Sequence, residues 1–233
     1  MSVRLIYAKA KRLSDRYRVY GRIEVASLGY HKEVACRHDA FGRWADTLAG
    51  YVMSLPAGKE EWSFQVEKGL SGSSERTRFA IRYASQDQTT YWDNNHGADY
   101  AVGTHGRGTG WDFPTLAIGS EVLCYKASLD SGQLSGKVAV KNLAYDKSVH
   151  VRYSIDDWAT YHEVPARYVA SDWNNQEDFP TVYEGELWEF SVGISRPVGA
   201  VKFAIRYAVA GAEYWDNNIS RNYTVTPQAG LVR

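Results

Sequence analysis

The chain is short of most features that mark a specialised class of protein. Cysteine occurs twice in 233 residues, methionine twice and proline six times. Cys36 and Cys124 are too few for a disulfide scaffold or a thiolate zinc site. They fall in different halves of the chain, so each reads as an inert thiol packed in a strand. Charge of one sign is missing as well. Lys and Arg total 27 against 27 Asp and Glu, and a zero balance argues against a nucleic acid or an anionic membrane as partner. No run of about 18 apolar residues occurs, so no helix is expected to span a bilayer. The start, Met1 to Lys9, turns basic after a scrap of apolar sequence too short for a secretory leader. A reducing, cytoplasmic setting and a monomer are expected. Nucleophile elbow, phosphate-cradling glycine loop and zinc spacing are all lacking, so neither cofactor nor metal is expected.

What the chain has in plenty is rings. Eight Trp, 17 Tyr and 7 Phe make 14% of it, more than small cores need. Tyr and Trp suit surfaces that are apolar on one side and wet on the other. The rings also recur in order. Tyr91-Trp92-Asp93-Asn94-Asn95 returns as Tyr214-Trp215-Asp216-Asn217-Asn218, and Phe79-Ala80-Ile81-Arg82-Tyr83 as Phe203-Ala204-Ile205-Arg206-Tyr207. Leu28 to Val34 faces Leu143 to Val149, Trp44 faces Trp158, and Trp62-Ser63-Phe64 faces Trp188-Glu189-Phe190. Preserved order with loop-sized drift means a duplicated domain. Gly103 to Gly110 is glycine-rich and aperiodic, which marks a linker. The expected limits are 1–104, a linker at 105–115, and 116–233, with Trp111, Phe113 and Leu116 packing between the halves.

Within each half, short segments alternate with the two-residue period of half-buried strands. Lys137 to Lys141, Val149 to Tyr153 and Val201 to Tyr207 show it best, divided by Gly, Asn and Asp clusters. Several such strands in about 100 residues indicate an all-β antiparallel sandwich. Arg43 to Ser54 has a helical look, but its counterpart Trp158 to Val169 contains Pro165, so both read as loop plus strand. Trp62, Trp188, Tyr83 and Tyr207 are expected in the core.

An Asp-Asn-Asn run bonds to nearby backbone and favours a turn. One reading of the repeated element is therefore a structural turn with Trp92 or Trp215 as its lid. The other is a sugar site, since pyranose C–H faces stack on indoles and carboxamides serve adjacent hydroxyls. Asn94, Asn95, Asn217 and Asn218 would supply those carboxamides, and Trp44 and Trp158 a second indole in each half.

Gly136 to Lys147, Val151 to Trp158 and Tyr214 to Tyr223 resemble the starch- and glycogen-binding modules of carbohydrate-binding family 21. The resemblance implies two tandem immunoglobulin-like β-sandwiches that bind α-1,4-linked glucan polysaccharides without cutting them. It implies a first sugar site with Trp158 and Trp215 as platforms and Asn217 and Asn222 on hydroxyls. A second site would use Tyr145 and Tyr168, assisted by Asn142 and Lys147. Ala204 and Ala80 stand where some members carry a further ring, which implies a narrower first site. The first half keeps Tyr30, Lys32, Trp44, Trp92, Asn94, Asn95 and Tyr100. Ser27 replaces Asn142 and Asp99 replaces Asn222, implying weaker binding or preference for another chain geometry.

A glycosidase needs two carboxylates about 5–10 Å apart. Asp93 and Asp216 are repeated without a repeated partner, and Asp157 and Glu163 show no clear equivalents in the first half. The protein is therefore not expected to be an enzyme. One carboxylate among amides is also a thin calcium set. Arg152 to Val169 is similar to the glycogen-targeting regulatory subunits of protein phosphatase 1, so a targeting role toward an unidentified enzyme partner is the alternative. Their docking segment, a basic residue followed by Val or Ile, any residue, and Phe or Trp, is absent: the only near match, Val201 before Phe203, lacks the basic residue. None of the six His is assigned a role, and sugar binding is expected to be flat between about pH 6 and 8.

Overall fold

The structure is a computed structural model that describes residues 1–69, 75–104, 116–169, 185–195 and 198–232. It divides into two units, the first running to Gly119 and the second beginning at Ser120. Each is built from antiparallel strands, as the period-two segments require, and no α-helix occurs among the described residues.

In the first unit, one sheet has the order β10-β1-β2-β6-β5, made from β1 (Val3–Arg12), β2 (Arg16–Ala26), β5 (Gly50–Leu55), β6 (Lys59–Gly69) and β10 (Leu116–Ile118). The other has the order β4-β3-β7-β8, from β3 (Glu33–His38), β4 (Ala45–Leu48), β7 (Glu75–Ala84) and β8 (Thr90–Asp93), with β9 (Tyr100–Thr104) pairing β7 further along. The second unit repeats the plan. Its first sheet is β15-β16-β12-β11-β20, from β11 (Val122–Asp130), β12 (Gln133–Lys141), β15 (Arg167–Tyr168), β16 (Gly185–Gly193) and β20 (Leu231–Val232). Its second is β14-β13-β17-β18, from β13 (Lys147–Ser154), β14 (His162–Pro165), β17 (Val201–Val209) and β18 (Ala212–Asp216), with β19 (Tyr223–Val225) on β17. The expected all-β tandem sandwich is what is found.

Alternation decides which side chains meet between the sheets. Val201, Phe203, Ile205, Tyr207 and Val209 of β17 face Leu134, Val138 and Phe190 of the opposing sheet, and Phe79, Ile81 and Tyr83 do the same against Val19, Ile23 and Phe64. Two buried tyrosines, one in each unit, satisfy their hydroxyls on backbone: Tyr83 donates to the Ala26 carbonyl at 2.9 Å and Tyr207 to that of Lys141 at 2.7 Å. Both cysteines are buried thiols, and burial pushes that of Cys36 well above its ordinary pKa. Gly136 lies opposite Phe190, where a Cβ would come within 2.5 Å of the ring; Gly21 opposite Phe64 has the same duty.

The division expected before residue 116 falls instead after Gly119. Strand β10 pairs antiparallel with β1, Ile118 opposite Tyr7 and Leu116 opposite Lys9, so this apolar segment completes the first sheet. Trp111, Phe113 and Trp173, and the linker 105–115, lie outside the described residues. Among the described residues no helix is long and apolar enough to cross a membrane, and no group of three metal-binding side chains occurs.

Candidate functional site

The repeated Trp-Asp-Asn-Asn element leaves the edge strand β8 or β18 and turns back toward β9 or β19. Its aspartate is an anchor. Asp93 accepts from the Leu5 N–H at 2.6 Å and the Tyr100 hydroxyl at 2.9 Å; Asp216 accepts from the Cys124 N–H and the Tyr223 hydroxyl, both at 2.6 Å. Each carboxylate thus ties its loop to the first strand of the opposite sheet. Asp93 is buried and Asp216 half-buried, and the oxygens of both are committed to these bonds. The loop that follows needs left-handed backbone, which Asn and Asp tolerate. Asn95, His96 and Asp99 have φ of 52°, 57° and 59°, and Asn218, Ile219 and Asn222 have 52°, 57° and 57°.

Part of the asparagine set is occupied by that loop. Asn95 donates to the Asp99 carbonyl and Asn218 to that of Asn222. The Oδ1 atoms of Asn94 and Asn217 accept from Gly97 and Ser220 N–H groups. Among the described residues, no hydrogen bond is made by the Asn217 amide nitrogen or the Asn222 side chain. The turn reading of the element is thus visible in its own hydrogen bonds.

The indoles before the aspartates point away from the core, Trp92 47% and Trp215 38% exposed. Trp215 donates from Nε1 to Glu213 at 2.7 Å. That bond, with Arg206 alongside, holds the Glu213 carboxyl below its ordinary pKa. Trp158 is half-buried on a tight loop at φ 69°, its N–H received by Ser154 Oγ at 2.8 Å. Neither Trp158 nor Trp215 belongs to the hydrophobic core.

Strand register corrects two equivalences drawn from sequence. Arg37 pairs with Asp46 across β3 and β4, as Arg152 pairs with Glu163 across β13 and β14. Glu163 therefore has an equivalent in the first half, Asp46. By the same register Trp44, one residue before β4, occupies the place of Tyr161 rather than Trp158. The intervening loop is longer in the second unit, and a shared Trp misled the alignment.

Further rings recur at matched places in the two units. Tyr30 and Tyr145 stand 89% and 96% exposed. Tyr168 meets Trp188 edge-on at 6.0 Å, and Tyr51 meets Trp62 at 5.9 Å. Tyr51 was not singled out in the sequence; its place as counterpart of Tyr168 emerges from the β5–β6 pairing. Trp62 and Trp188, expected in the core, are half-buried, because each indole N–H reaches out to Glu60 or Glu186 at 3.0 Å. The same carboxylates receive Lys32 and Lys147 at 2.6 Å. Both lysine side chains are nearly buried, and Lys147 also donates to Asn142. These lysines act as struts that fix Asn142 and the Trp–Glu pair rather than as free donors. Burial would raise the Glu60 carboxyl, but hydrogen bonds from Lys32, Ser27 and Trp62 hold it below the ordinary range.

His38 was not assigned a role in the sequence, yet it supports the loop carrying Trp44. It is fully buried; the Ala40 N–H donates to Nδ1 at 3.3 Å, so Nε2 bears the proton toward Thr47 Oγ1 at 2.8 Å. Burial lowers its pKa below 6.5, outweighing Asp39 and Asp46. The neutral ring's contribution to stability is complete above about pH 6.5 and lost as pH falls through the lowered value, because the unfolded chain takes the proton first. Thermal melts from pH 7.5 to 5 are expected to fall more steeply for the parent than for His38→Gln. Parallel curves would refute the role.

A repeated β-sandwich that carries matched rings on its surface is the architecture of a ligand-binding module. The chain belongs to family 21 of the carbohydrate/starch-binding modules, whose family model matches residues 1–103 and again 119–226. The resemblance read from the sequence is thereby borne out. Among curated relatives, the glycogen-binding subunit 76A of Drosophila melanogaster is 37% identical over 92 residues, 39% of this chain and 12% of that protein. Protein phosphatase 1 regulatory subunit 3C of Xenopus tropicalis is 33% identical over 102 residues, 43% of this chain and 42% of that protein. The match thus spans less than half of either relative. Among solved structures, the starch binding domain of Rhizopus oryzae glucoamylase, in complex with beta-cyclodextrin and maltoheptaose, aligns over 46% of this chain and 93% of its own. Its identity is 28% and its TM-score 0.36.

Proposed function

We propose that the protein binds α-1,4-linked glucans such as starch or glycogen without cleaving them. The observation that carries this reading is that large rings recur outside the core at matched places in both units: Trp92 and Trp215, Tyr30 and Tyr145, Tyr51 and Tyr168. An exposed ring is costly to leave in water unless it meets an apolar surface, and the C–H face of a pyranose is one. Beside each set stand polar groups suited to hydroxyls, among them the Asn217 amide, Asn222 and Asn142. Stacking contributes about 0.5–1.5 kcal/mol beyond area burial and each hydroxyl bond exchanges for water. A single site should hold a maltooligosaccharide with a Kd of about 0.1–1 mM. Polymers offer many equivalent chain segments, so two units engaged together gain about 10²–10⁴ in avidity. The family assignment and relatives named for glycogen binding support the choice of ligand.

Electrophoresis through native gels containing amylopectin, glycogen, β-glucan or no polysaccharide tests it. Retardation by the α-glucans alone is expected; equal mobility in all four gels would contradict it. The targeting reading is favoured by relatives named as phosphatase regulatory subunits, and it coexists with glucan binding. Val201 and Phe203 lie in the core of β17, so a partner would use another surface. A pull-down that enriches no phosphatase or glycogen enzyme would count against it.

A further inference from the structure

Tyr161 stands immediately before β14 and is 57% exposed. The Cζ atom of Arg152 lies 4.5 Å from the Tyr161 ring centroid and 4.7 Å from that of Trp215. One guanidinium therefore serves both rings, which places their centroids no more than about 9 Å apart. Register explains how it gets there. Arg152 on β13 faces Ala204 on β17, and a methyl group leaves open the lane through which the long side chain leans toward β18.

The arrangement is locked from every side. Arg152 donates from Nε to Glu163 at 2.7 Å; Arg206 reaches Glu163 at 3.5 Å and Glu213 at 3.2 Å; Glu213 receives the Trp215 indole N–H. Contacts thus run in a closed circuit from Tyr161 through Arg152, Glu163, Arg206 and Glu213 to Trp215. Nε and Nη2 of Arg152 are engaged by Glu163, while among the described residues no hydrogen bond is made by Nη1. The first unit has the pieces without the clamp. Arg37 holds Asp46 and Arg82 holds Glu33 and Asp46, while the cation over Trp44 is Arg78, at 5.5 Å, held by Asp39.

We propose that Tyr161 is a third ring of the glucan platform in the second unit. Arg152 is its positioning residue: it fixes Tyr161 and Trp215 as one surface and offers Nη1 to a hydroxyl of the sugar resting there. This rests on the glucan-binding reading and deepens it. Tyr161 replaces the ring missing at Ala204, and rings held in place before binding lose little freedom on binding. Extending the platform by one ring lengthens the stretch of glucan that it reads.

The test is calorimetric titration of the full chain with maltotriose and with maltoheptaose, in a background carrying Trp92→Ala and Tyr30→Ala to quiet the first unit. Tyr161→Ala is expected to weaken maltoheptaose binding about three- to tenfold and maltotriose binding less. Tyr161→Phe keeps the ring and should stay within about twofold. Arg152→Lys should weaken maltoheptaose binding as Tyr161→Ala does, because an ammonium cannot serve two rings as the planar guanidinium does. Melting curves report folding separately, and loss in a variant that melts like the parent supports the proposal. Equal affinities for Tyr161→Ala and parent, or equal losses on both sugars, would overturn it while leaving the glucan reading intact. A parent chain that binds neither sugar would sink both.

Discussion

Asp216→Ala is expected to lower the melting temperature of the second unit by more than about 10 °C, and Asp93→Ala to do the same to the first. Each substitution strands a buried backbone N–H and a tyrosine hydroxyl that the carboxylate satisfied at 2.6–3.0 Å. Hydrogen bonds to a charged group contribute about 1.5–3 kcal/mol each, and buried donors left unpaired cost about 1–3 kcal/mol. A loss of about 3–5 kcal/mol follows, and each kcal/mol moves a domain of this size by about 4–8 °C. Asn in place of Asp keeps one acceptor but turns an amide toward donors, so it should recover less than half. Calorimetry of the full chain carries its own control, since the unsubstituted unit should melt as before. Unchanged melting in either variant would mean that the anchor is ornamental.

Silencing one unit should separate polymer from oligosaccharide. With Trp92→Ala and Tyr30→Ala in the first unit, retention on insoluble starch or glycogen is expected to fall about 10²-fold. The affinity of the second unit for maltoheptaose should stay within about twofold. The two numbers part company because a polymer presents a second chain segment to a molecule already held, whereas a free heptaose does not. Equal falls on polymer and oligosaccharide would remove avidity from the account.

Much of this was legible in the sequence, for identifiable reasons. Period-two segments such as Val201 to Tyr207 and the reappearance of Tyr-Trp-Asp-Asn-Asn fixed the strand type, the duplication and the exposed indoles. The Asp anchors were legible as turn formers, but their bonds to Leu5 and Cys124 join residues far apart in the chain. Lys32 and Lys147 looked like ligands beside exposed tyrosines. Only the fold brings Glu60 and Glu186 against them and turns them into struts. Trp44 was matched to Trp158 by letter, while register sets it where Tyr161 stands; an alignment counts identities, and a strand pair counts positions. Tyr161 itself has nothing in its local sequence to single it out. Its neighbours Arg152 and Trp215 become neighbours only when β13, β14, β17 and β18 lie side by side.

The most direct measurement is titration of two full-length chains with maltoheptaose: the parent, and one in which Trp92, Trp215, Tyr30 and Tyr145 are all alanine. The parent should saturate with a Kd of about 0.1–1 mM, and the ring-poor chain should melt cooperatively yet release no binding heat. Undiminished binding by the ring-poor chain, or none by the parent, would contradict the claim that surface rings hold the sugar.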